Sequence, residues 1–369
     1  MPLNDAIRSQ GPFPQWALFQ KPQVNLARSS SSRMWLVSAC AGLAILQSSL
    51  GDSFASFAVA LAAAGGALLT EILIDAVSGR LFARPWAESP WGNYRDGSAV
   101  ASALVLTLLL PNRINPFFAF LGAVFAMTVV KHSFGGLGAN WANPALGAWL
   151  FIRFSWPAAF ANALGDSPLG ILAENPGGSF PQTLGSDTFW TPLLNKTVFA
   201  FLGAELPPGY IDLLAYSGPG IIADRGILAF LLGTILVTAG QASRFWIPLC
   251  YLGTYSSLVR IFGAMPLGGD FGAGDMLTGL FTGGVLPAAF LLAADPSTGP
   301  KSRALMAPAA VLGGALSFVF RYLGFEPYGA FFAVALFNAL LPLFRCFETR
   351  FLYAGTSGKT FQAGANAKG

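Results

Sequence analysis

Ten charge-free apolar windows divide this chain: Met34–Gly51, Ser53–Thr70, Gly97–Leu110, Ile114–Val130, Asn143–Ile152, Gly226–Ser243, Phe245–Val259, Met276–Ala294, Ala304–Phe320 and Pro327–Phe344. A helix that crosses a bilayer needs about 20 mostly apolar residues, range about 17–25. The third and fifth windows are short for full spans, and short segments of this kind mark broken helices at binding sites. Only 10% of the residues are charged, against roughly 25% in a soluble domain. The 21 Lys/Arg and 17 Asp/Glu side chains cannot cover a soluble surface of this size. A mean hydropathy of +0.58 agrees, and the pattern excludes a soluble globular enzyme, a disordered chain and a nucleic-acid binder. The 43 glycines and 25 prolines fit membrane helices, where both are commoner than in soluble ones.

The net charge of +4 comes from thinly spread basic residues, with no stripe of Lys/Arg between aromatics. Cys40, Cys250 and Cys346 lie far apart and form no CxxC, and His132 is the one histidine, so no iron–sulfur or zinc site is expected. The first 33 residues hold no apolar stretch of a cleavable signal. Ten spans put both termini on one side. Fifteen Lys/Arg then share the side of the termini and six lie opposite (Arg113, Arg153, Lys196, Arg225, Arg260 and Arg321). That bias predicts cytoplasmic termini and puts the acidic segment 157–225 outside. The expected organisation is a cytoplasmic segment 1–33, a five-helix half 34–156, an exoplasmic loop 157–225, a second five-helix half 226–346 and a cytoplasmic tail 347–369. An odd number of spans per half inverts the second half relative to the first. Gly135-Gly136-Leu137-Gly138 in one half and Thr282-Gly283-Gly284 with Asp295–Pro300 in the other are weak internal echoes.

The most distinctive stretch is Lys131–Gly147, reading KHSFGGLGANWANPALG. Small and turn-forming residues from Gly135 to Asn143 break any helix there, and Asn143-Pro144 fits a restart with Asn as cap and Pro in the first turn. Backbone N–H groups freed at such a break can meet an anion or a polar ring edge. Without a ligand, the same stretch would be a re-entrant packing turn. Other segments run in a fixed order beside it: Ser98–Pro111, Leu280–Pro300 with Thr282-Gly283-Gly284 and Ala294-Asp295-Pro296, and Gly324–Pro342 reading GFEPYGAFFAVALFNALLP.

This ordered set, from about Phe19 to Phe344, resembles the RnfD/NqrB family. Its members are flavin-carrying membrane subunits of the Rnf and Na+-pumping NADH:quinone oxidoreductase complexes, and the short N-terminal segment favours the RnfD branch. The resemblance implies FMN, linked through its phosphate to the threonine of an S/T-G-A-T motif on the outer face, and in some members a noncovalent riboflavin. Within segment 157–225 the best match is Thr188-Phe189-Trp190-Thr191-Pro192-Leu193, with Thr191 as acceptor; Phe189 and Trp190 stand where the family has Gly and Ala. Both rings also suit an interfacial anchor. For the cofactor, the candidates are Thr191, Thr188, Trp190, Lys131, Gly135, Gly136, Gly138, Asn140 and Asn143.

Electron transfer across a membrane subunit moves charge, so ion-handling groups are sought too. Glu71 and Asp75 stand four apart on one helix face, with Arg80 and Arg84 near enough in sequence to neutralise them. Asp96 either caps the third span or joins an ion path, and Asp295 matches a family position. Lys131 serves either a flavin oxygen or the cytoplasmic anchoring of the fourth span. The expectation is an all-α polytopic membrane protein of about ten helices, in two inverted five-helix halves, in a cytoplasmic (inner) membrane. By the resemblance it is a subunit of a redox-driven ion translocase, not a complete enzyme alone. Its partners would be iron–sulfur and FMN-bearing subunits, a flavin transferase and the bilayer, with no nucleic acid. Two other readings stand beside it: an NqrB-like subunit of a quinone reductase, and a non-redox channel or transporter with an inverted repeat.

Overall fold

The structure, a computed structural model, describes residues 30–82, 96–133, 140, 142–164, 187–203, 205–206, 209–214, 216, 218, 220–240, 245–299 and 303–347. Among these residues the backbone is helical, and the one β-type pairing is the isolated bridge between Pro111 and Ile221. The first-half helices are α1 (Ser30–Leu50), α2 (Ala55–Phe82), α3 (Ser98–Leu109), α4 (Pro116–Phe125, continued in π-helical register over Ala126–His132) and α5 (Pro144–Ser155). Four helices follow: α6 (Pro157–Leu164), α7 (Asp187–Leu194, continued to Leu202), α8 (Tyr210–Leu214) and α9 (Ile222–Arg225). The second half holds α10 (Ile227–Gly240), α11 (Trp246–Phe262), α12 (Met276–Phe281), α13 (Val285–Pro287, continued in π register over Ala288–Ala293), α14 (Arg303–Phe318, continued in π register over Val319–Leu323) and α15 (Gly329–Phe347).

The apolar windows and the helices coincide closely. The third and fifth are short, twelve residues each, about 18 Å at 1.5 Å per residue. Among the described residues, three helices are long and apolar enough to cross a bilayer: Ser31–Leu50, Ala55–Val77 and Leu305–Leu323. The second helix runs past its apolar window to Phe82 and carries Glu71 and Asp75, as expected of residues on one helix face. One expectation changes. The segment between the halves is not simply a loop: α6 to α9 lie in it, and Asp212 and Asp224 are buried.

Helix contacts repeat between the halves. α2 packs on α4 as α11 packs on α14; α3 packs on α5 as α13 packs on α15; α4 packs on α5 as α14 packs on α15. The corresponding helices α1 and α10 pack on each other, drawn close where Cβ atoms on Gly226 and Gly233 would run into Ala44 and Cys40. α5 also touches α15, through Trp149, whose ring meets Phe331 and Phe332 edge-on at 5.0 and 5.2 Å. Contact by contact, the start of α3 therefore corresponds to the Thr282–Gly284 break. The glycine-rich stretch after α4 corresponds to the turn between α14 and α15, not to Thr282–Gly284 as the sequence echo suggests. Outward-facing Leu61, Leu69 and Leu73 on α2 and Leu232 and Ile235 on α10 are exposed. An apolar surface of this kind belongs in lipid.

Candidate functional site

Polar groups collect at the two ends of the bundle. At one end, α2 carries Glu71, 1% exposed, and the π-helical end of α4 carries Lys131, 2% exposed. Lys131 Nζ donates to Glu71 Oε1 at 2.5 Å and to Ser98 Oγ at 2.7 Å. Ser98 opens α3 directly after Gly97, whose φ of 73° is in the left-handed region that glycine adopts without steric cost. Asp96 Oδ1 accepts the Ser98 N–H at 2.8 Å from one residue before the cap position, which Gly97 fills. His132 Nε2 lies 3.9 Å from Glu71 Oε1, and Glu71 Oε2 is buried without a hydrogen-bond partner. Asp75, one turn on from Glu71, is half-buried. The counter-ion of Glu71 is thus Lys131, with Arg84 outside the described residues. Lys131 is buried and paired, so it does not act as a solvent-facing anchor. Of its three N–H donors, two are engaged.

At the same end the halves meet. Asn143 caps α5, its Oδ1 accepting from Ala145 N at 3.0 Å and Leu146 N at 3.4 Å, with Pro144 in the first turn. Its Nδ2 donates to Asp295 Oδ2 at 2.8 Å. Asp295 Oδ1 accepts from the N–H and hydroxyl of Ser297, both at 2.9 Å. Two candidates from opposite halves are therefore one hydrogen bond apart. Beside them, Asn140 Oδ1 and Thr298 Oγ1 are buried with no hydrogen-bond partner. An orphaned buried acceptor costs about 1–3 kcal/mol, so each of these groups would gain from a further polar partner. Gly135, Gly136 and Gly138 lie outside the described residues.

Sequence reasoning missed the groups at the opposite end. Arg225 on α9 donates to Ser48 Oγ and to the Ser48 carbonyl, at 3.0 and 3.1 Å, and lies 3.7 Å from Asp52. Asp52 in turn accepts from Asn112, which also pairs with Gly220. The neighbouring Asp224 accepts from the N–H groups of Gly283 and Gly284, at 2.7 and 3.0 Å. Arg321, 1% exposed at the π-helical end of α14, reaches the other side of that break. Its Nη1 lies 2.7 Å from the Gly279 and Thr282 carbonyls and 2.9 Å from the Tyr255 hydroxyl, and its Nη2 donates to Thr282 Oγ1. In the sequence both arginines read as loop residues flanking a span. The available signal was their abutment on apolar windows, since charge at membrane depth is costly and commonly functional.

Thr191 lies on α7, not in a loop, and is 6% exposed, whereas Phe189 and Trp190 stand out from the surface. Their rings meet edge-on at 5.2 Å. α8 packs on α7 and on α12. Tyr210 of α8 donates to Asp275 at 2.7 Å, and burial together with that bond pushes its phenol above the usual tyrosine range. Tyr210 therefore stays protonated and ties α8 to the cap of α12. For Thr188, the described backbone is helical.

Residues 18–353 match the model of the NQR2, RnfD, RnfE family. The chain is 27% identical over 318 residues to the D subunit of the Na+-translocating ferredoxin:NAD+ oxidoreductase complex of Acetobacterium woodii, covering 84% of this chain and 86% of that protein. It is 26% identical over 339 residues to the D subunit of the proton-translocating ferredoxin:NAD+ oxidoreductase complex of Clostridium ljungdahlii, covering 89% and 93%. Against the D subunit of the ion-translocating oxidoreductase complex of Stutzerimonas stutzeri, identity is 31% over 262 residues, covering 67% and 73%. A match over nearly the whole chain, with its motifs in order on the helices described, makes this protein a member of the NQR2, RnfD, RnfE family.

Proposed function

We propose that this chain is the membrane-embedded D subunit of an Rnf-type ion-translocating ferredoxin:NAD+ oxidoreductase complex. The observation that carries this reading is the near full-length alignment with relatives of that name. The chain relays electrons and contributes to the ion path; iron–sulfur and nucleotide chemistry belong to partner subunits. It spans a cytoplasmic (inner) membrane ten times in two inverted halves, with the Asn143–Asp295 end and both termini in the cytoplasm. Three pairs support that alternation: Asn143 with Asp295, Arg153 with Glu326 at 3.6 Å, and Arg225 with Asp52 all join residues that ten spans put on one side. The segment 157–225 is then exoplasmic.

Two flavins are proposed. A noncovalent one, riboflavin, sits against the Asn143–Asp295 junction, where the orphaned Asn140 Oδ1 and Thr298 Oγ1 supply polar contacts. FMN is carried as a phosphoester on Thr191 beside the exposed rings of Phe189 and Trp190. Attachment there requires α7 to turn its buried face outward, which Pro192 inside that helix eases by removing a backbone hydrogen bond. When bound, a flavin supplies one- and two-electron exchange, and the protein orients it and tunes its potential. Glu71, Asp75, Asp96 and Asp295 are the ion-handling carboxylates of the proposal, and a flavin transferase is the partner that modifies Thr191.

Membranes lacking only this chain should lose reduced-ferredoxin-driven NADH formation and regain it on complementation; unchanged activity would refute the reading. In-gel fluorescence tests the covalent FMN: a flavin band in the wild type should vanish in Thr191→Ala, and a band that persists there would remove the assignment.

A further inference from the structure

The surroundings of Arg321 are crowded with oxygen. Its Nη1 carries two N–H groups, yet three oxygens lie within 2.9 Å of it: the Gly279 and Thr282 carbonyls and the Tyr255 hydroxyl. The Tyr255 hydroxyl directs its own proton to the Gly279 carbonyl at 3.2 Å, so its lone pairs face the guanidinium. Thr282 Oγ1 accepts from Nη2 as a fourth oxygen. Three oxygens on two hydrogens is a poor match for a planar donor and a good one for a sphere of charge. The two carbonyls belong to the frayed end of α12, and unwound carbonyls at the end of a broken membrane helix are a recurrent ligand for Na+. The far side of the break is neutralised from within as well, by Asp224 on the Gly283 and Gly284 N–H groups.

A sparser counterpart stands at the other end of the bundle, where Lys131 sets its three N–H groups against two oxygens, Glu71 Oε1 and Ser98 Oγ. Lys131 occupies the π-helical end of α4, as Arg321 occupies that of α14. It reaches Ser98, beside the left-handed Gly97, as Arg321 reaches Thr282, beside the left-handed Gly283. Its other partner, Glu71, lies on α2, the counterpart of the α11 that carries Tyr255.

We infer that Arg321 is a tethered cation: it fills a cation-coordinating oxygen cage at the Thr282–Gly284 helix break and closes it to a free monovalent cation. This rests on the ion-translocating reading and adds how the path is shut between turnovers. Withdrawal of the guanidinium leaves a cage of hard oxygens that Na+ fits. Such a plug keeps the path from leaking when no electrons flow.

The test uses the whole complex in liposomes with an inward 22Na+ gradient and neither ferredoxin nor NAD+. In Arg321→Gln, passive uptake should rise about tenfold over the wild type, as an unplugged carbonyl cage predicts, and low-millimolar guanidinium should bring it back down. Thr282→Val, which removes one cage oxygen at constant shape, should give a smaller rise. An assembled Arg321→Gln complex with wild-type uptake overturns the proposal. Should that variant not assemble, Thr282→Val decides in the same sense. Failure of the wild type to accumulate Na+ or protons under reduced ferredoxin would instead refute the ion-translocating reading.

Discussion

At the residue scale the ionic groups decide most. Lys131 and Glu71 are both buried and bonded to each other, so removing one partner strands a charge in a low-dielectric interior at a cost of about 3–5 kcal/mol. Lys131→Met should therefore lower the unfolding midpoint of the detergent-solubilised complex sharply, and Lys131→Met/Glu71→Gln should recover most of the loss. Additive losses would show that the pair is not coupled. Asn143 offers a second test, because it caps α5 and bonds Asp295 at once. Asn143→Ala should cost about 1 kcal/mol for the cap alone. Asn143→Asp keeps an equally good cap but sets a carboxylate against Asp295, so it should unfold at a temperature no higher than the alanine variant. A wild-type midpoint for Asn143→Asp would mean that the junction between the halves is not under load.

At the element scale the broken helices are the informative parts. Gly284 has a φ of 68°, and a Cβ there would lie 2.2 Å from the Phe331 ring. Gly284→Ala should destabilise the complex by about 1–3 kcal/mol, the range for a forced left-handed residue, with loss of thermal stability as the readout. A neutral substitution would mean that the break is wider than described. Helix positions were legible in the sequence because a membrane span must be long, apolar and free of charge, which left little choice of boundary. The cap at Asn143-Pro144 was legible for the same local reason. The Arg321 cage was not: its oxygens come from Gly279, Thr282 and Tyr255 on α11, α12 and the break that follows. Backbone carbonyls carry no sequence signature, and an arginine after an apolar window looks like an interfacial anchor. Lys131 hid in the same way. The Thr188–Thr191 motif was visible, but the burial of Thr191 on a helix was not, since nothing local says which face α8 covers.

At the scale of the whole molecule, helix contacts that repeat along the chain place buried Lys131 near one end of the bundle and buried Arg225 and Arg321 near the other. Between Gly284, where α13 begins against Asp224, and Asp295, where it ends against Asn143, the chain crosses from one polar end to the other. That layout suits a protein in which charge moves across the membrane while a closed state is held by its own side chains. Identity to the Na+-named and proton-named relatives is nearly equal, 27% and 26%, so the coupling ion is an outcome of the transport assay. The most direct test of the central claim is ion uptake by proteoliposomes of the purified complex, started with reduced ferredoxin and NAD+. Uptake of Na+ or protons that tracks NADH formation, and that is absent from complex lacking this chain, is the expected result. NADH formation at full rate with no ion gradient, or a gradient undiminished without this chain, would contradict the account.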